Sequence, residues 1–568
     1  MAAMSGLWLR PCRLFFCQTE HHRAGRTLGV KTKTSTSPSD TPQSFVSQHQ
    51  ADVIGVLSGF DRLRFKGSLP QLYYPRTMDA YLEVKRMLFK DFKDFAVDLT
   101  ARIKAAALRL AEVAGRPFRY LASCNTRKET LARELIEQDH LQEGLVGVFG
   151  CVEPCLTYFL RGNRQTKKLE FKLQSGKCQH FYFYHLHPEF GLMHLRLQSW
   201  FPFLVHICIN GREWLSQQMD RHHIDYVKKE NCFTRISPVA GAQRLMDKQM
   251  QLNWPDQLDY LLRKNHPLAA EICRPLGLRY YWSTQESEYA TDVMFRSPTP
   301  LAQTYPALVR HAITSFSSAD VMRFLGHPIA ANDKVRGNFK GEVLSSLKQR
   351  PEGTRVKHCL NANSIKMYDK QGSILRIETT INQTRDFRVF RSAQIGPHTR
   401  AKSDGKKAWR ILRRGVVDLK RRAEVSHAAN ERYLTALSGT SGKIPLFQWV
   451  QEVCKPIRRD GCRFRALNPW SPQDGALLQA VNRGEFALNG FRNRDLRALL
   501  FTGKALPEQL RRRSAIITRK LALLRAHGLI KKVSGTHRYV LTSKGSTTIT
   551  ALLAARQANL NELTKIAA

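Results

Sequence analysis

Nowhere does the chain carry an uninterrupted apolar run of about 18 or more residues, so the sequence offers no membrane-spanning helix. Its most apolar stretch, Trp200 to Ile209, is far too short and reads as a strand, and no membrane partner is expected. Cysteine is sparse: twelve are scattered over 568 residues without the dense spacing of a disulfide framework. That suits a reducing compartment and small buried side chains. Cys151 and Cys155 have no second pair at finger spacing, so no zinc finger is expected there. The Walker loop, the Gly-x-Ser-x-Gly elbow and the dinucleotide-binding glycine fingerprint are all missing, and no repeat of solenoid length is present.

Acidic residues are the scarcest group relative to their counterparts. Against 90 Lys and Arg stand 47 Asp and Glu, a formal net charge of +43. A folded chain with that much self-repulsion calls for a polyanionic partner, and nucleic acid supplies one through counterion release. An anionic membrane surface would favour one concentrated basic amphipathic helix, whereas here the charge runs the whole length. The expected partners are therefore double-stranded DNA and, second, single-stranded nucleic acid, with a cytoplasmic, nucleoid-associated location. With 42% hydrophobic residues the chain is globular in composition.

The pattern of elements predicts an α+β multidomain chain. Residues 1–45 read as a disordered basic arm; a transit peptide has a similar composition, but Glu20, His21 and His22 interrupt any amphipathic face. Residues 46–235 read as an α/β region with a strand-rich second half. Phe92, Ala96, Leu99, Ile103 and Leu110 recur at helical spacing until Gly115-Arg116-Pro117. A strand at Phe118, a helix from Arg127 to Gln138 and a strand at Gly144 then make a β-α-β unit. Residues 236–345 read as mainly helical, with Ser317 capping a short helix that Gly326 closes. Residues 346–437 read as a β-hairpin and basic region, and Lys370-Gln371-Gly372 marks the turn. The stretch Ser438 to Gly442 reads as a linker into a last domain, 438–568.

In that last domain three helices (Pro472 to Arg483, Asn493 to Gly503, Pro507 to His527) precede two short strands and a final helix. This is the order of a winged helix-turn-helix. At about 100° per residue, Ile517, Leu521 and Leu524 share one side of the third helix. Arg512, Ala515, Arg519, Ala522 and Ala526 share the other, with Arg511 and Thr518 beside them. Small residues between arginines let a helix approach the major groove, where Arg pairs with guanine. Lys531, Lys532, His537 and Arg538 fall on the wing, beside phosphates. The segment ITRKLALLRAHGLI, Ile517 to Ile530, resembles the recognition helix and turn of bacterial regulators of the ArsR/MarR type. Such a domain can alternatively serve protein contacts alone.

Between Arg385 and Arg422 thirteen Lys and Arg face three acids, with Phe387, Phe390 and Trp409 interleaved. This composition suits backbone tracking with base stacking, and Arg413, Arg414 and Arg421 are candidate contacts; a plain solvated surface is the alternative. The preceding strands, SIKMYDK from Ser364 and LRIE from Leu375, are similar to the Tyr-x-Lys and Arg-x-Glu strands of rolling-circle replication initiators from plasmids and filamentous phage. The similarity implies a tyrosine that attacks a DNA phosphodiester, assisted by a carboxylate-bound divalent metal, Mg²⁺ or Mn²⁺. The matching positions are Tyr368, Lys370, Arg376 and Glu378, with Tyr368 and Glu378 as the candidate catalytic pair. A polar-faced hairpin with a cross-strand salt bridge is the alternative. His185 and His187 alternate onto one strand face and are the candidate metal ligands, although Pro188 suggests a loop. No other cofactor is expected. The chain thus reads as a DNA-binding protein of a mobile element or replication system; a transcriptional regulator without catalysis and a metal-dependent nicking or transposase-like enzyme are the alternatives.

Overall fold

The computed structural model describes residues 44–557, apart from 328–338, 351–352, 393–406, 439–445, 460, 487–489, 502 and 504–505. Residues 1–43 of the expected arm and 439–442 of the linker thus lie outside the described residues. The fold is mixed α and β, built on one large sheet. Among the described residues of the first two thirds of the chain are thirteen strands: β1 (Val53–Ser68), β2 (Phe118–Tyr120), β3 (Gly144–Gly162), β4 (Leu169–His187), β5 (Gly191–Gln198), β6 (Val205–Asn210), β7 (Asp225–Lys229), β8 (Cys232–Ser237), β9 (Tyr281–Phe295), β10 (Val343–Arg350), β11 (Gly353–Leu360), β12 (Asn363–Lys370) and β13 (Ile374–Ile381). Eleven of them form a single sheet in the order β10-β11-β12-β13-β9-β1-β6-β5-β4-β3-β2, and β7 and β8 pair separately. All neighbours are antiparallel except β2 and β3, which run parallel across the Lys128–Gln138 helix as a β-α-β unit requires.

Alternation along the strands gives this sheet two unlike faces. Leu63 and Phe65, Phe181 and Phe183, Leu195 and Leu197, and Ile207 and Ile209 all point to one side and are buried. There the Phe92–Val113 helix buries Phe92, Ala96, Leu99 and Ile103 in the same core. Farther along the same face, Ile365, Met367, Leu375 and Ile377 meet Val425, Ala429 and Tyr433 of the helix Leu419–Leu437. Between these residues Arg64, Tyr182, Arg196, Lys366 and Arg376 face the other way.

Strands from all three expected regions (46–235, 236–345 and 346–437) join this sheet, one of them from within the mainly helical middle region. Its helices exist, at Val239–Lys248, Trp254–Asn265 and Pro298–Thr314, but between them runs β9, paired with both β1 and β13. The strand is hard to read in the sequence because its helix-facing side mixes Ser287 and Thr291 with Tyr289 and Val293. Burial is compensated by hydrogen bonds: Arg422 Nε donates to Ser287 Oγ at 2.7 Å, and Asn430 Nδ2 donates to Thr291 Oγ1 at 3.2 Å.

Beyond the sheet, β14 (Arg388–Ser392) pairs with β15 (Lys407–Ile411), and β16 (Ile457–Arg459) with β17 (Cys462–Phe464). Helices Pro472–Val481, Asn493–Leu500 and Pro507–Ala526 follow, then β18 (Ile530–Lys532), β19 (Tyr539–Leu541) and the helix Ser543–Gln557. Leu477, Leu478, Leu496, Ile517, Leu521, Leu524 and Ile549 form a core of their own. Among the described residues no helix is long and apolar enough to cross a membrane.

Candidate nucleic-acid interface

The polar face of the sheet can be read from the strand register, because residues directly opposite one another share a face. Tyr182 faces Arg196, Arg196 faces His206, and His206 faces Lys66. One step along, Tyr184, His194, Cys208, Arg64 and Glu286 make a second row. On β1, Arg62, Arg64 and Lys66 alternate with the buried Leu63 and Phe65, so three cations line up on one side of a central strand. Only modest ion pairing restrains them: Arg62 lies 3.7 Å from Glu288 and Arg64 lies 3.4 Å from Glu286. These residues were not singled out from the sequence, yet the signal was present. Arg62-Leu63-Arg64-Phe65-Lys66 alternates at the period of a half-buried strand.

A cavity of about 550 Å³ opens on this face, between the strands and the start of the Lys128–Gln138 helix. Arg64, Arg127, Lys128, Arg133 and Arg196 line it, and among the described lining residues Glu129 is the one carboxylate. No side chain caps the helix N-terminus, so its first N–H groups and the positive end of its dipole add to the positive field. The floor is held rigid by Glu153, which binds Arg196 (Nε at 2.9 Å, Nη2 at 2.7 Å) and accepts from Tyr182 Oη at 2.7 Å. Burial alone would raise the Glu153 carboxyl; the Tyr182 hydroxyl and Arg196 outweigh it and hold the group down at about 2. Lys128 sits 4.7 Å above the Tyr182 ring. Burial and then the neighbouring cations push His206 down to about 3 and His194 to about 4, so both imidazoles are neutral. The cavity therefore combines fixed positive charge with neutral donors and aromatic walls, a lining that accepts phosphate groups.

Farther along the same face, Glu378 stands opposite Lys366, and Arg376 opposite Tyr368. Oxygens of Asp61, Glu288 and Glu378 come within 4.8 Å of one another, a spacing that suits an oxygen-ligated divalent cation. The Lys366 ammonium already bridges two of them, 2.5 Å from Glu378 and 3.1 Å from Glu288. Arg376, fully buried, reaches Asp292 at 2.6 Å and Asp61 at 3.0 Å, and Arg212 reaches Asp292 at 3.0 Å. Glu378 thus belongs to a carboxylate cluster whose other members come from β1 and β9. Tyr368 lies beside it, buried, and that burial followed by the Glu378 charge pushes its phenol up to about 12. A tyrosine in this state is held protonated rather than activated.

His185 and His187 lie on β4 itself, so the strand runs up to Pro188 rather than ending in a loop before it. His185 Nε2 is 2.6 Å from Asn265 Oδ1, while His187 Nδ1 accepts the Glu189 N–H at 3.1 Å. Among the described residues neither belongs to a group of three potential metal ligands. In the basic strip, Arg413 and Arg421 both grip the buried Asp418, at 2.8 and 2.7 Å, so their charge is partly spent within the fold. Arg414 is exposed and donates to Gln383 Oε1 at 2.7 Å; its charge helps burial to lower the Lys66 pKa, which places it beside the polar face. The interleaved aromatics pack rather than wait for bases. Phe387 is buried, and Trp409 meets Phe390 and Phe486 at ring-centroid distances of 5.7 and 6.2 Å.

On the Pro507–Ala526 helix, Arg511, Arg512, Thr518 and Arg519 are exposed, as are Lys531, Lys532 and His537 on and beside β18. Thr518 is engaged: its hydroxyl donates to Ser514 O at 3.0 Å and accepts from Asn493 Nδ2 at 2.9 Å. Arg538 lies 4.1 Å over the Phe390 ring. Ala526, expected on the open face, is buried, so that face ends earlier along the helix. Compared with protein-family models, with curated proteins and with solved structures, the chain matches none.

Proposed function

We propose that this chain is a DNA-binding protein of a mobile-element or replication system. Its last domain acts as a winged helix directed to duplex DNA, and its polar sheet face is a second surface for phosphates. The observation that carries this reading is the row Arg511, Arg512 and Arg519, exposed on one helix beside the exposed Lys531 and Lys532. No ion pair ties any of these five to another described residue. Small Ala515 and Ala522 between them leave room for a groove wall. A cytoplasmic, nucleoid-associated location goes with the reading, and single-stranded nucleic acid fits the sheet face as a further partner.

The test is binding of the full-length chain to duplex DNA over a series of salt concentrations. Affinity should fall steeply as salt rises. Arg519→Ala should relax sequence preference at one position by about 1–3 kcal/mol, whereas Lys532→Ala should weaken all sequences alike and lower the salt slope by about 1. Binding that ignores salt would defeat the proposal.

The cluster of Asp61, Glu288 and Glu378 favours a second reading, a metal-dependent nicking enzyme with Tyr368 as nucleophile. A bound Mg²⁺ or Mn²⁺ would supply Lewis acidity at the phosphodiester. On the protein's side, Lys366 must yield its place between the carboxylates, and Tyr368 must lose a proton that its buried setting retains. Incubation with supercoiled and single-stranded DNA plus either cation should then give nicked product and a covalent adduct that Tyr368→Phe abolishes. Neither product appearing would dispose of this reading and leave the first untouched.

A further inference from the structure

Near the basic cavity, on the long β3–β4 hairpin, lies a second cluster that neither reading uses. Cys155 and Cys178 come from opposite strands, and their sulfurs are 3.3 Å apart. A ring nitrogen of His180 lies within 4.8 Å of both. The histidine is fully buried, and the two faces of its ring differ in a telling way. Nδ1 is 3.1 Å from the Cys178 carbonyl oxygen, which can only accept, so Nδ1 carries the proton. Nε2 is then left with a bare lone pair, and it is buried without a hydrogen-bond partner. An orphaned acceptor in a core is costly and calls for an explanation. A ring whose one nitrogen donates to a backbone carbonyl while the other is free has the tautomer of a metal-ligating histidine.

We propose that Cys155, Cys178 and His180 form a thiolate–imidazole site for a borderline-soft divalent cation, Zn²⁺ first. Two thiolates and one imidazole match the donors that select zinc over Mg²⁺ or Ca²⁺. Sulfurs bound at about 2.3 Å in a tetrahedral site sit roughly 3.7 Å apart, so the observed pair needs to open by only a few tenths of an ångström. Binding forms two Zn–S bonds and one Zn–N bond and releases the thiol protons to solvent, leaving the two thiolates to balance the ion's charge. The nearby Arg196 is no obstacle, because Glu153 already holds it through two nitrogens. Cys155 is half-buried, and from its side a water or other exchangeable ligand can complete the coordination. The ion would cross-link β3 and β4 close to Tyr182, the wall of the basic cavity.

The sequence conceals this site because its ligands do not stand at finger spacing. Cys155 precedes the hairpin turn, while Cys178 and His180 follow it, and antiparallel pairing brings them together.

The test uses the full chain purified under reducing conditions. We expect roughly one zinc per chain by elemental analysis, and on cobalt substitution the thiolate-to-metal charge-transfer bands and intense visible bands of a tetrahedral site. Cys155→Ser or His180→Gln should lower affinity by at least about 100-fold, more than the roughly 10–100-fold lost when a residue that only orients a ligand is changed, while Cys208→Ser should not. Should the variants fail to fold, alkylation of the unmodified chain decides: Cys155 and Cys178 should resist iodoacetamide with zinc and react once a chelator is added. Absence of stoichiometric metal, equal labelling with and without chelator, or a Cys155–Cys178 disulfide in the purified chain would overturn the proposal.

Discussion

Arg376 shows how much a single side chain carries in this molecule. It is fully buried and donates to both oxygens of Asp292, to Asp61 and to the Asn231 carbonyl. Taking these charges out of water is expensive, and only the completeness of the network makes it tolerable. Burial raises the Asp61 carboxyl; at Asp292 the same burial is outweighed by Arg376 and Arg212, and that carboxyl is lowered. Arg376→Met should therefore cost about 3–5 kcal/mol in urea unfolding, because it strands two carboxylates. Arg376→Lys should not restore the loss, since one ammonium cannot reproduce the planar fork. Of this site the sequence revealed a little: Arg376 and Glu378 could be placed on one strand face. Asp61, Asp292 and Arg212 could not be joined to them, because each arrives from a strand or helix more than eighty residues away along the chain.

Elements with strong local signals were legible from sequence. The Phe92–Val113 helix ends where Gly115 takes a positive φ of 61°, and Ser317 accepts from the Asp320 N–H as the N-cap of its helix. The β12–β13 hairpin turns through Gln371, Gly372 and Ser373, since Lys370 pairs with Ile374, and Gln371 and Gly372 take left-handed φ values of 53° and 73°. Gly372→Ala should destabilise by about 1–2 kcal/mol, the cost of a side chain in that region, read as a lower denaturation midpoint with an unchanged slope. β9 was illegible by contrast: Ser287 and Thr291 interrupt the apolar alternation of its buried side, and their hydrogen-bond partners are supplied by Arg422 and Asn430. The Pro507–Ala526 helix was legible in its extent and its apolar side, yet Ala526 is buried.

At the scale of the whole molecule, stability against acid should be set by buried imidazoles. Burial pushes His266 down to about 3, and burial, partly offset by Asn265, pushes His185 to about 4. In the unfolded chain both titrate near about 6.5, so between that value and 4 the unfolded state binds more protons than the folded one. Stability is thus fully present above about pH 6.5 and declines as pH falls through that window; the lowered Asp292 adds its own loss only below about 4. Thermal melts from pH 7.5 to 4.5 should show the decline, and His266→Gln should flatten it; an unchanged slope would mean that His266 does not titrate this way. What the sequence determined by itself was whatever depends on neighbours along the chain: the excess of positive charge, the helix boundaries, the tight hairpin, the expectation of a polyanionic partner. The tertiary structure alone decided which side chains meet. Strand order carries Asp61, Glu288 and Glu378 to one spot, gathers five cations around one cavity, and sets Cys155 and Cys178 against His180. The reason is that pairing in a sheet is non-local: register fixes which faces coincide, and no spacing in the sequence records it.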